Sequence, residues 1–308
     1  MTAVHRALML CVPLILFAGA GALYVPPGTQ DGGANADGDE VSLASLPSLP
    51  AWANAPLPDF SGIRDTTERK VAFFSFLYPR IVLANSRILL EREYLDSLEA
   101  KSELSGKELK WLLEQADRLR VDAANGSDAQ LALLKKRLDV IPPSLILAQA
   151  ANESAWGTSR FATQGNNLFG QWCFSKGCGL VPLSRVDGAS HEVAKFSSPY
   201  YSVRSYIQNL NRHPTYQKVR EIRHQDRLAE RPLSGIDMAE GLLGYSERGE
   251  DYIEEIRAMI RYNNLEFYDR EFRALLEDRT PGLFRQLASA LDAKVLLPGG
   301  GGVTPFES

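Results

Sequence analysis

The run from Pro142 to Trp156, "PPSLILAQAANESAW", constrains the fold more than any other part of the chain. Pro142 and Pro143 suit a helix start, where a missing N–H costs nothing. Gly157 suits a helix end. Between them lies a greasy run that reads as the central helix of a helical body, with one carboxylate, Glu153, near its end. At 3.6 residues per turn Ile146, Ala150, Glu153 and Gly157 share a face, and Gln149, Glu153 and Trp156 cluster. A carboxylate projecting from a stripe that is otherwise apolar or small loses water, and desolvation raises its pKa. A carboxyl that keeps its proton near neutral pH is what a general acid needs. The residues alone equally admit a glutamate on a solvated flank or one bonded to a nearby backbone N–H. Trp156 either shields that carboxyl or is core.

The rest of the chain is organised around this helix. Residues 26–62 are rich in Gly, Pro, Ser, Asp and Asn and read as a flexible linker. From Thr66 a long helical pattern begins, with Pro79 expected to break or kink it. "SGKELKWLLEQADRLRV" is a helix opened by the capping-box pair Ser105 and Glu108, and "SDAQLALLKKRLDV" is one capped by Ser127. Residues 63–140 thus form a helical N-terminal region, expected to pack on a body spanning 141–276. Within that body, "QWCFSKGCGLVPLSRVDGASHEVAKF" has Gly-marked turns and no helical period, so short strands or a hairpin are expected. Helical patterns resume at "YYSVRSYIQNLNRHPTYQKVREIR", "IDMAEGLLGY" and "DYIEEIRAMIRYNNL". Residues 277–308 read as a frayed C-terminal tail.

At the N-terminus, Arg6 precedes the apolar stretch Ala7 to Val25, with small residues at Ala18, Ala20 and Ala22. Residues 1–25 fit a secretory signal with an A-x-A cleavage site, or an uncleaved membrane anchor. An exported chain meets an oxidising space, so Cys173 and Cys178 in "CFSKGC" are disulfide candidates, with two free thiols as the alternative. A metal is not expected, because those two cysteines are close and His191 is a distant third. A net charge of -4 and a pI near 5.7 give no basic surplus for a nucleic-acid partner. There is no Gly-rich phosphate loop, no H-E-x-x-H and no G-x-S-x-G, and no cofactor is expected.

"LAQAANESAWGTSRFATQGNNLFGQW" resembles the N-acetylglucosaminidase domains of bacterial cell-wall hydrolases, glycoside hydrolase family seventy-three. The pattern is an acid in "ES.WG" followed by "NLFG", and Tyr245 and Tyr252 in "GYSERGEDYIEEI" look like that family's later tyrosine pair. The "QWCF", "GCG" and "YSERG" stretches are similar to those of its Bax-related exported members. The resemblance covers about Ile141 to Asn264. It implies an α+β fold, mainly α: a lysozyme-like helical body with a small β-hairpin lobe flanking a sugar-binding groove. It implies that Glu153 is the general acid, and that Asn167, Leu168, Phe169 and Gly170 form the floor and wall of the groove. It places Tyr245 near the reacting sugar, with Gln149, Trp156 and Tyr252 as further substrate-binding residues. By chemistry alone Tyr245 is either a phenol donor to the sugar or a core tyrosine.

The implied partner is the peptidoglycan glycan strand, cut at β-1,4 bonds beside N-acetylglucosamine in the periplasm or cell envelope, with inner-membrane anchoring through the N-terminal segment as an option. The chain departs from the family pattern in its second acid. Asp187 and Glu192 are the acids after "NLFG", and neither sits at the family position; Glu192 is the better candidate for a second catalytic group, with a surface glutamate as the alternative. Without such a group the substrate's own acetamido oxygen can attack, or a sugar hydroxyl can, as in a lytic transglycosylase acting at N-acetylmuramic acid. A non-catalytic peptidoglycan-binding module would keep the groove and not need the acid.

Overall fold

The computed structural model describes residues 46–183, 185, 190–277 and 281–300. Residues 1–25, expected to be an export signal or anchor, residues 26–45 of the expected linker and Asp187 lie outside the described residues.

The elements follow in chain order. Helix α1 is Thr66–Glu99, α2 Gly106–Leu119, α3 Asp128–Arg137, α4 Pro143–Glu153 and α5 Arg160–Gly165. Strands β1 (Trp172–Cys173), β2 (Gly179–Leu180) and β3 (Glu192–Ala194) come next. Helices α6 (Pro199–Arg212), α7 (Gln217–Leu228), α8 (Gly235–Met238), α9 (Glu250–Tyr262), α10 (Glu266–Leu275) and α11 (Pro281–Leu287) complete the body. The fold is α+β and mainly α, as expected.

Local signals set most helix starts. Asp65 caps α1 through the Glu68 N–H, Ser105 and Glu108 form a capping box on α2, and Ser127 caps α3. Pro79 does not break α1, contrary to the sequence expectation. It stands in a stretch, Leu77 to Arg87, in which every side chain is buried. Packing on all sides outweighs the hydrogen bond a proline forfeits. By length and composition α1 is apolar enough to cross a membrane, but 83% of its most apolar window is buried inside the protein.

Helix α4 runs through the middle of the main core. Every residue from Pro143 to Ala151 is buried, against α1, α9 and α10. It has no side-chain cap of its own. Asp269 of α10 supplies one: Ser144 donates to it from the backbone N–H at 2.8 Å and from Oγ at 2.6 Å. The far end of α1, with α2 and α3, encloses a second, smaller core of Leu95, Leu98, Trp111, Leu112 and Leu134.

Two regions read as loose ends are built into the body. Phe60 and Ala53 are buried, and the Trp52 indole donates to the Ala290 carbonyl at 2.7 Å, so residues 46–62 are not a linker. Phe284, Leu287, Ala288 and Leu296 join the main core, so residues 281–297 are not a frayed tail. In both cases apolar residues find partners on α1.

The β lobe is a three-stranded antiparallel sheet in the order β1-β3-β2. Trp172 and Leu180 both pair with Val193. The last strand is therefore the middle one, and β1 and β2 are not the two arms of a hairpin. Cys173 and Cys178 are joined by a disulfide.

Candidate active site

Glu153 is the last residue of α4. The sequence "ESAWG" places it there by stopping the helix sooner than its apolar pattern suggests. Ala155, Trp156 and Gly157 have φ of 50°, 59° and 77°, three successive left-handed residues. That conformation is costly for Ala and Trp. Ser154 holds it locally: its hydroxyl donates to the Ala150 carbonyl at 2.6 Å and accepts from the Gly157 N–H at 2.8 Å. Trp156 holds it from outside, its indole edge-on to Phe73 and Phe74 at 5.9 and 5.4 Å and under the Lys70 ammonium. The helix was expected to run on to Trp156 and to set the indole beside Glu153. The left-handed turn instead directs it into the aromatic cluster of α1.

Tyrosines surround the carboxyl. The Tyr252 hydroxyl donates to Glu153 Oε1 at 2.7 Å. Gln149 Nε2, one turn back on α4, donates to the same hydroxyl at 2.8 Å, and Tyr206 of α6 donates to Gln149 Oε1. Tyr245 stacks on Tyr252 with centroids 5.4 Å apart and planes 6° from parallel. Burial raises the Glu153 carboxyl to about 7, and nearby Glu255 adds to the rise. Tyr252, Asn152 and Arg248 pull the other way without outweighing it. The residue nevertheless keeps partial exposure to solvent. Burial also holds the Tyr206, Tyr245 and Tyr252 phenols well above their ordinary range, so they remain donors.

Most residues expected to bind sugar lie behind the site rather than on its surface. Gln149, Asn167, Leu168, Phe169 and Tyr252 are all buried, each at most 1% exposed. They have no surface to offer a sugar, and each holds something else in place. Asn167 donates to the carbonyls of Gln171 and Ala194 at 2.8 and 2.9 Å and accepts from the N–H groups of Phe169 and Gln171. It thereby ties the "NLFG" turn to β3. Phe169 stacks on Tyr206 at 4.1 Å, and its carbonyl accepts from the Tyr245 hydroxyl at 3.0 Å. Tyr245, Gly170, Trp156 and Trp172 keep partial exposure. Trp172 lies flat on His191 at 3.8 Å.

Glu192 does not have the environment of a second catalytic carboxylate. Its Oε1 accepts from the Gly177 N–H at 2.9 Å and its Oε2 from the Gly179 N–H at 2.8 Å. These bonds hold its pKa below the usual value. It braces the disulfide loop, and a carboxylate with both oxygens engaged is a weak base.

Five residues acting on Glu153 were missed in the sequence: Asn152, Tyr206, Tyr216, Arg248 and Glu255. Tyr206 has no local motif. Arg248 and Glu255 form an ion pair at 2.6 Å that acts on Glu153 through charge. The i,i+3 spacing of Tyr252 and Glu255 on α9 was the available signal for Glu255.

Comparison with known proteins finds one family model and a curated relative. The family model described as mannosyl-glycoprotein endo-beta-N-acetylglucosaminidase matches residues 129–265, beginning inside α3 rather than at 141. Protein bax of Escherichia coli (strain K12) is 35% identical over 225 residues, 73% of this chain and 80% of that protein. No solved structure matches. With a family motif seated on the helix end that carries Glu153, and a relative aligned over most of both chains, this chain belongs to the glucosaminidase family of glycan hydrolases.

Proposed function

We propose that this chain is an exported peptidoglycan hydrolase that cleaves β-1,4 bonds at N-acetylglucosamine, with Glu153 as general acid. The observation that carries the reading is a carboxyl raised to about 7, on a residue partly exposed to solvent, and gripped by the Tyr252 hydroxyl at the end of a buried helix. Such a group holds a proton to give at neutral pH. Glu153 passes its proton to the glycosidic oxygen as the bond to the anomeric carbon breaks and the electron pair leaves with that oxygen. Water then completes the sugar and returns a proton to Glu153. The partial exposure of Tyr245 beside Tyr252 supports a part for it in meeting the reacting sugar. Export through residues 1–25 and a periplasmic or envelope location belong to the same proposal.

Glu192 supports a second reading within this chemistry. With both its oxygens on backbone amides, the group that stabilises the anomeric carbon is better sought on the substrate, either its acetamido oxygen or, as in lytic transglycosylases, a sugar hydroxyl. Products distinguish the two. Purified protein incubated with peptidoglycan should release fragments whose mass shows a reducing N-acetylglucosamine end; an anhydro-muramic end selects the transglycosylase. Glu153→Gln should retain glycan binding and release less than a thousandth of the product, on the order expected when the sole acid is lost. Product release by Glu153→Gln at the parent rate contradicts the enzyme reading, and binding by the parent without release identifies a non-catalytic module.

A further inference from the structure

Four side chains from three helices form one directed chain: Tyr206 of α6, Gln149 of α4, Tyr252 of α9 and Glu153. Its direction follows from valence. A glutamine amide accepts only at oxygen and donates only at nitrogen. With Oε1 toward Tyr206 and Nε2 toward Tyr252, the amide fills a lone pair of the Tyr252 oxygen. The Tyr252 hydrogen is then free to point only outward, to Glu153. Turned over, the amide would present Oε1 to Tyr252 and draw that hydrogen away from Glu153. Its nitrogen would then donate to Tyr206, whose own hydrogen would be left without its partner in a fully buried place, a costly arrangement.

We propose that Tyr206 and Gln149 are positioning residues that fix the sense of the Tyr252 hydroxyl, so that it donates to Glu153 Oε1 and leaves Oε2 to carry the proton given to the substrate. The inference rests on Glu153 being the general acid. It also gives the buried "NLFG" turn a task, since Phe169 stacks on the Tyr206 ring and receives the Tyr245 hydroxyl. Neither Tyr206 nor Gln149 reaches the solvent, so neither acts by touching a sugar.

The charged and titratable groups that bear on Glu153 come from several elements. Tyr252 and Glu255 belong to α9, Tyr206 to α6, Tyr216 to the turn before α7, and Tyr245 and Arg248 to the segment before α9. The phenols stay protonated over the working range, because burial raises them all. Loss of the Tyr252 donor removes a bond to the ionised carboxylate and favours its neutral form.

The test is direct titration of Glu153 in the full chain by NMR, with ¹³C in glutamate side chains and the Glu153 signal assigned by its loss in Glu153→Gln. Tyr252→Phe should move the Glu153 midpoint up by about one pH unit, the scale of one lost bond to a charged group. Tyr206→Phe, which never touches Glu153, should move it in the same direction. The double variant should match Tyr252→Phe alone, because both changes remove the same donor. The alkaline limb of kcat should shift with the midpoint. Gln149→Leu is the complementary variant: it takes away the only other acceptor the amide could offer Tyr252, so the hydroxyl still donates to Glu153 and the midpoint should not rise. A midpoint unmoved in Tyr206→Phe beside a shifted one in Tyr252→Phe, or one raised in Gln149→Leu as far as in Tyr252→Phe, overturns the positioning role. That result is separate from failure of the acid assignment, which would show as parent-level cleavage by Glu153→Gln.

Discussion

Glu153 is held where a charge is costly, and that cost is measurable. Its folded pKa of about 7 stands above the ordinary 4.5. Between those values the unfolded chain has released a proton that the folded chain retains. Stability therefore falls as pH climbs from about 4.5 to about 7, then levels. Glu153→Gln keeps an acceptor for Tyr252 and removes the titration. The variant should be more stable than the parent at pH 8 by about 2 kcal/mol, discounted for the partial exposure of the residue, and melt a few degrees higher. At pH 4 the two should melt together. Asp269 is also raised to about 7 by burial, but it is common to both proteins and cancels in the difference. Thermal denaturation at the two pH values checks this, and identical melting at pH 8 would contradict the desolvated state of Glu153.

Among the elements, the turn after α4 decides where Glu153 points. Gly157 is its tightest position: φ is +77°, and an added Cβ would stand 2.7 Å from a Phe60 ring carbon. Gly157→Ala should cost about 2–3 kcal/mol from strain and overpacking together, read as a lower denaturation midpoint. It should also lower turnover by loosening the end of α4. This turn shows what the sequence could and could not disclose. The caps at Ser105, Ser127 and the Pro142–Pro143 start were legible because their partners lie within one helical turn. The end of α4 was not, since the left-handed Ala155 and Trp156 are sustained by Phe73 and Phe74 on α1. The same holds for Pro79, whose helix survives through burial. In the candidate site, a motif singled out Glu153 and the tyrosine pair, which the fold brings together. The Tyr206–Gln149–Tyr252 chain joins positions 57 and 103 residues apart, a distance over which no periodicity speaks.

At the scale of the whole molecule, the family segment is not a free-standing body. The match covers residues 129–265, yet α1 supplies Phe73, Phe74, Leu77, Tyr78 and Ile81 to the core that buries α4. Phe284 and Leu296 from the C-terminal side close the same core. A fragment of residues 129–265 should therefore fail to fold, giving no cooperative melt by circular dichroism where the full chain does. Ending the chain at residue 277 should cost several kcal/mol, because four buried apolar residues leave the core together. A cooperative, native-like melt of the 129–265 fragment would contradict this dependence. The helices outside the family segment thus serve the site indirectly, by keeping water from the helix that ends in Glu153.

The most direct measurement of the central claim is the pH dependence of kcat on purified peptidoglycan strands. A carboxyl that must be protonated to act, with a pKa of about 7, gives a rate that falls tenfold per pH unit above neutrality, with its midpoint near that value. A rate that stays level or rises from pH 6 to pH 9 would contradict the assignment of Glu153 as the acid.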